Sequence, residues 1–275
     1  MNHAPGIYPD IPFEDYLRID AASKGKLHAL HTKTPAHALV TREPTKDMVW
    51  GTAFHLAVLE PAKFEIGVVM NPHDGRTKAG KDFVAENAGK VIVSTGDYND
   101  IIRARDTLLG NPTIRALVQR EGMTEATGLW IDPDTGVLCR CRPDHYVPSL
   151  AMMADLKTTT NAGPDSFAKT AETFGYDIQC AMYSEGWSLA GGGDVENFLF
   201  VVVEREPPYA HAIYELDEPE RARGRAIMRK ALARYAECLG AGRWPGFPTG
   251  VSRLKFRDWV HQTDAASGLY QEGAL

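Results

Sequence analysis

The sequence predicts an α/β fold, and three observations carry that prediction. Residues 197–204, NFLFVVVE, are a nearly continuous apolar run, the pattern of a strand buried on both faces. Residues 125–131, 137–147 and 151–159 read as three successive strands, the first two joined by the turn sequence DPDTG at 132–136. Helical patterns lie on both sides of this block, at 46–59, 98–109, 112–120, 164–189 and 219–239.

Residues 1–20 read as irregular. Ser23 is placed to cap a short helix, SKGKLHALH, and Pro35 opens another, TPAHALVTR. Pro61 stops the helix over 46–59. Short strands follow at 66–70 and 91–94, and a further strand at 209–216 pairs with the apolar run. With no repeat and no low-complexity linker, residues 1–275 read as one domain. A helical part covers about 1–120, and a sheet-and-helix core about 121–240.

Composition narrows the class. The chain is 44% hydrophobic and 24% charged, and no apolar run approaches the roughly 20 residues of a membrane span. The acidic, Pro-rich N-terminus lacks a basic and then apolar leader, which predicts a cytoplasmic protein. A net charge of -6 excludes a general nucleic-acid coat, but not a local basic groove. Cys139, Cys141, Cys180 and Cys238 show no metal-finger spacing, which predicts buried reduced thiols and no iron–sulfur cluster. Gly75 to Lys81 matches the start of a phosphate-binding GxxxxGK loop, but Asp82 replaces the hydroxyl residue that would bind magnesium. No nucleotide is therefore expected; Arg76, Lys78 and Lys81 are candidate contacts to a DNA backbone.

The chemistry concentrates in residues 140–160. Strand parity puts Arg140, Arg142 and Asp144 on one face of the second strand, with Cys139 and Cys141 on the other. On the third strand Asp155 and Lys157 point the same way, opposite Ala154 and Leu156. Two carboxylates and an ammonium are the inventory for metal-assisted phosphodiester hydrolysis. The same residues also suit a surface ion pair and a turn aspartate. Gln179 and Tyr183, four apart on the following helix, share a face, and His55 stands on an upstream helix.

Pro143-Asp144, Asp155-Leu156-Lys157 and Gln179-x-x-x-Tyr183, preceded by His55 in GTAFHLAVLEP, together resemble the PD-(D/E)xK nuclease superfamily. Within it, the chain is most similar to the RecB-type branch and its RecE-like exonucleases of phage and prophage. The resemblance implies a restriction-endonuclease-like core, a central mixed β-sheet flanked by α-helices. It implies a Mg²⁺ (or Mn²⁺) site of His55, Asp144, Asp155 and the Leu156 carbonyl. Lys157 would be the catalytic lysine, with Gln179 and Tyr183 near the scissile phosphate. Ser23, Arg140 and Arg142 join the candidate DNA contacts.

The implied activity is 5′-to-3′ degradation of linear double-stranded DNA, leaving 3′ tails for a RecT-like single-strand annealing protein. The implied assembly is a homo-oligomer, a tetrameric ring, in the cytoplasm of a bacterial host. The alternatives are an endonuclease of the same superfamily and a non-catalytic module that binds DNA ends.

Overall fold

A computed structural model describes residues 3–41 and 43–255. Met1–Pro245 form one compact unit and Gly246–Leu275 a second; the described helices and strands all belong to the first. The chain opens with β1 (Gly6–Tyr8) and α1 (Phe13–Arg18), where the sequence reads as irregular. Short elements like these carry too few residues to show a period, and β1 exists because it pairs with a distant strand.

Next come α2 (Lys24–Thr32), with Ser23 at its N-cap but no side-chain capping bond, and a single 3-10 turn over Pro35–Leu39 in place of the second expected helix. α3 (Lys46–Leu59) starts at Thr45, whose hydroxyl accepts the Met48 N–H at 3.3 Å. Pro61 ends α3 only by starting α4 (Pro61–Gly67), since its missing N–H is harmless in a first turn. β2 (Val68–Asn71), α5 (Lys78–Glu86) and β3 (Val91–Ser94) then form a small parallel unit, followed by α6 (Thr95–Gly110) and α7 (Pro112–Val118).

The second half supplies the main sheet. β4 (Met123–Thr124), β5 (Thr127–Ile131), β6 (Leu138–Cys141), β7 (His145–Val147) and β8 (Met152–Thr159) lead to α8 (Pro164–Phe174) and α9 (Tyr176–Leu189). β9 (Asn197–Glu204), β10 (His211–Glu215) and α10 (Glu218–Gly240) follow.

Two expectations are corrected here. The stretch 137–147 is not one strand: β6 belongs to a three-stranded sheet, β1-β5-β6, and β7 to a five-stranded mixed sheet, β10-β9-β8-β7-β4. The chain changes sheets at Arg142 to Asp144, where Pro143 has no N–H to give a ladder. Nor is 164–189 one helix. Gly175 takes a left-handed conformation (φ 66°) and separates α8 from α9, which glycine does without steric cost.

Side-chain alternation on the central strands sorts the core. Met153, Phe198, Phe200 and Val202 pack with Trp187 of α9 and Met228 and Leu232 of α10. Ala154, Leu156, Val201 and Val203 face the other way, onto Phe54 of α3 and Ile101 and Leu108 of α6. The parallel pair β8–β9 is therefore covered on both faces by helices, which is why NFLFVVVE lacks polar alternation.

A β-carbon on Gly175 would lie 2.6 Å from Cδ2 of His28 in α2. Gly175→Ala combines that clash with the left-handed backbone, so it should lower unfolding free energy by at least about 1–2 kcal/mol in urea melts. A wild-type midpoint and slope would show that the α8–α9 break does not depend on glycine.

Candidate active site

Asp144 stands at the sheet change, immediately before β7. Its Oδ2 accepts the backbone N–H of Leu156 at 2.6 Å and lies 3.5 Å from Nδ1 of His55, which α3 carries in from the opposite side of the sheet. Two of the four expected metal ligands, His55 and Asp144, therefore lie together. A third group, which the sequence did not single out as a site residue, joins them: Glu125 Oε1 lies 4.0 Å from His55 Nδ1. Ligand atoms of His55, Glu125 and Asp144 all fall within 4.8 Å of one another, the one such group among the described residues.

Glu125 was hidden because it reads as the first residue of a strand. It instead occupies the turn between β4 and β5 with φ 52°, and its N–H donates to the Asp144 carbonyl at 3.1 Å. A left-handed non-glycine residue is uncommon and concentrates at functional turns.

Asp155 and Lys157 share a face of β8, as parity predicts, and form an ion pair. Gln179 of α9 donates from Nε2 to Asp155 Oδ1 at 2.5 Å. The Lys157 ammonium also lies 4.7 Å from the centre of the Tyr176 ring, at the start of α9. Tyr176 is a further neighbour that the sequence did not single out. Asp155 Oδ2 is buried and receives no hydrogen bond of good geometry, though it faces Lys157. Leu156 contributes its amide to Asp144; this amide contact replaces nothing expected of its carbonyl, but it is the contact the structure shows.

Electrostatics follow from burial and proximity. Burial alone would lower the His55 pKa, but the Asp144 carboxylate and its hydrogen bond, with Glu125, push it up to about 9. Burial and then the Asp144 charge push Glu125 up to about 7, against His55 and Arg142. Burial raises Asp155 to about 6, with Lys157 opposing and Asp144 reinforcing. Burial would raise Asp144 as well, but His55, Lys157 and the Leu156 amide hold it below its usual value. Burial would lower the Lys157 ammonium, yet Asp155 first and then neighbouring groups raise it. Burial, and the charges of Asp155 and Asp144 among others, keep the Tyr183 phenol protonated.

The DNA-contact candidates separate. Arg140 is corrected: its guanidinium is buried, stacks 4.6 Å from the Tyr16 ring centre and donates to the Tyr16 and Ile19 carbonyls (2.8 Å to Ile19). Arg142 is also turned inward, onto Glu125 at 2.9 Å. Arg76 is exposed and paired with Asp74 at 2.8 Å, and Lys78 and Lys81 are exposed on α5. Ser23 is half-buried beside Lys24, whose ammonium donates to the Phe174 carbonyl at 2.6 Å and lies 5.3 Å from the Tyr176 ring centre. The four cysteines are buried free thiols. No helix among the described residues is long and apolar enough to cross a membrane.

The donor set suits a divalent cation. One imidazole and two carboxylates converge; Asp155, also expected as a ligand, is not one of that group, and its Oδ2 is ion-paired to Lys157. His55, whose pKa rises from 6.5 to about 9 in the fold, stabilises the metal-free protein below pH 6.5 and loses that contribution as pH rises through 9. Glu125, raised from 4.5 to about 7, loses stability in the same direction at lower pH. Thermal melts in EDTA should therefore fall between pH 7 and 9. The increase in melting temperature on adding Mg²⁺ should grow over that window, because the ion must displace the imidazole proton. His55→Ala should flatten both trends; a wild-type melting temperature that rises with pH in EDTA would refute the assignment.

Comparison with known proteins places this geometry. No protein with a curated description matches the sequence. Among solved structures, a provisionally assigned exonuclease from Eubacterium rectale is similar over 92% of this chain and 98% of that one, at 10% identity and a TM-score of 0.63. At that identity the likeness shows the fold alone. A phage-related exonuclease from Haemophilus somnus 129PT is similar over 69% of this chain and 94% of that one, at 15% identity, but with a TM-score of 0.33 it carries no argument. The mixed sheet flanked by helices is the restriction-endonuclease-like architecture of the PD-(D/E)xK superfamily. A family profile matches residues 23–251, and the chain belongs to that family, described as PDDEXK-like domain of unknown function (DUF3799).

Proposed function

We propose that the protein hydrolyses DNA phosphodiester bonds with a divalent metal ion, and that it acts as a RecE-like exonuclease on linear double-stranded DNA in the 5′-to-3′ direction. The observation that carries the reading is the meeting of His55, Glu125 and Asp144 with the Asp155–Lys157–Gln179 set on a PDDEXK-like fold. His55, Glu125 and Asp144 would hold the ion, with Asp155, whose Oδ2 is ion-paired to Lys157, as the expected further ligand. Bound there, a divalent cation supplies a charge that polarises a phosphate oxygen and makes water more acidic.

The chain's own groups have distinct tasks. The raised pKa of Lys157 keeps it an ammonium near neutrality, so it acts as a donor to developing negative charge and not as a base. Gln179 fixes one oxygen of Asp155, and Lys157 pairs with the other. Asp155, at about 6, is largely ionised at pH 7 and can accept a proton from an attacking water. Tyr183 keeps its proton, so its proposed part at the scissile phosphate is that of a neutral phenol.

Strand polarity, the 3′ tail, a RecT-like annealing partner, a tetrameric ring and a bacterial cytoplasmic setting rest on the sequence resemblance described above. Ser23, Arg76, Lys78 and Lys81 remain the proposed DNA contacts. Mg²⁺ is the proposed ion, and Mn²⁺ should substitute.

Digestion of linear duplex labelled at either the 5′ or the 3′ end tests the proposal. With Mg²⁺ the 5′ label should be released first, and EDTA should stop the reaction. Lys157→Ala should reduce the rate by roughly 10²–10³ without abolishing metal binding. Equal cutting of closed circles would replace the exonuclease reading with an endonuclease. Binding of DNA ends with no cleavage under any divalent ion would replace it with a binding module.

A further inference from the structure

Arg142 makes three contacts at the back of the site. Its Nε donates to Glu125 Oε2 at 2.9 Å, and its Nη1 donates to the Ile11 carbonyl at 2.8 Å and to Thr127 Oγ1 at 3.2 Å. The guanidinium lies 5.6 Å from the Tyr16 ring centre and 5.9 Å from that of Phe13, so α1 closes over it. Its side chain is only 9% exposed. This arginine cannot swing toward solvent without giving up every one of these contacts.

The consequence lies in how the Glu125 carboxylate is divided. Oε2 is spent on Arg142, while Oε1 faces His55. A carboxylate with one oxygen held by a fixed donor presents the other in a single direction, which is how supporting hydrogen bonds orient metal ligands. The left-handed backbone of Glu125 and its N–H bond to the Asp144 carbonyl hold the other end of the same residue. We infer that Arg142 is a positioning residue for a divalent cation: anchored by the Ile11 carbonyl, it directs one Glu125 oxygen into the site. The inference rests on the metal-site reading but not on DNA cleavage.

Lysine at 142 keeps the charge but cannot hold Glu125 and the Ile11 carbonyl from the two edges of one planar group. Mn²⁺ binding, followed by calorimetry and by the signal of free Mn²⁺, should weaken roughly 10- to 100-fold in Arg142→Lys. The deciding readout is a double-mutant cycle with Glu125→Gln. In the Glu125→Gln background Arg142→Lys should cause little further loss, because the oxygen it directs is no longer ionic. Thr127→Val, which removes one anchor and keeps the shape, should show a smaller loss with the same dependence on Glu125, and it serves if Arg142→Lys fails to fold.

Wild-type Mn²⁺ affinity in folded Arg142→Lys, or in Thr127→Val when that variant stands in, overturns the inference. So does an equal loss in both backgrounds, which would mark a structural role only. If wild-type protein binds no Mn²⁺ at this cluster, the metal reading falls and the inference with it; Mn²⁺ bound without any DNA cleavage would count against the nuclease reading alone.

Discussion

The burial of Asp144 as an ion is the constraint on which the site depends. A carboxylate removed from water costs several kcal/mol unless its oxygens are met by donors. Here the donors come from elements far apart in sequence: the Leu156 amide on β8 and the His55 imidazole on α3. The chain must therefore leave one sheet, enter the other, and bring a helix from the far face to the same point. The Leu156 bond also ties the start of β7 to the middle of β8, so the register of the sheet and the position of the carboxylate are one fact.

Charge balance then explains the neighbours. Three carboxylates, Glu125, Asp144 and Asp155, share the site with two lasting cations, Arg142 and Lys157. In the absence of an ion, a proton on His55 supplies the remaining positive charge, which is the physical reason its pKa climbs despite burial. A divalent cation takes over that role and frees the imidazole to be a ligand. Glu125 keeps one oxygen tied down by Arg142 and one facing His55, while Asp155 is held at one oxygen by Gln179 and at the other by Lys157. The fold thus balances the metal-free site with a proton on His55 that a divalent cation can displace, with no need to bury a bare triad.

Much of this was legible in the residues. The apolar run 197–204 is β9 to the residue, the Asp155–Lys157 parity holds on β8, and Gln179 faces Asp155 from α9. These succeed because each lies within one regular element, where a period of two or of 3.6 dictates direction. Arg140 and Arg142 failed as surface cations for a related reason. Parity correctly put them opposite Cys139 and Cys141, but it cannot tell that β6 is covered on that face as well, by α1. A short helix of six residues leaves no periodic trace strong enough to announce the cover.

The features that stayed hidden share a position in the chain: each sits at a break. Glu125 takes its left-handed turn just before β5, Pro143 divides β6 from β7, and Gly175 divides α8 from α9. A reading by periodicity smooths over such points, because one irregular residue hardly disturbs a pattern spread over ten. Yet a regular element can present a side chain only along its own fixed directions, and groups from three elements cannot converge unless backbone between them departs from those directions. The left-handed turn aims Glu125 across at His55, the sheet change delivers Asp144 to the edge of β8, and the glycine break sets the line along which α9 lowers Gln179 onto Asp155. The places where local pattern fails are therefore the places where the site is made.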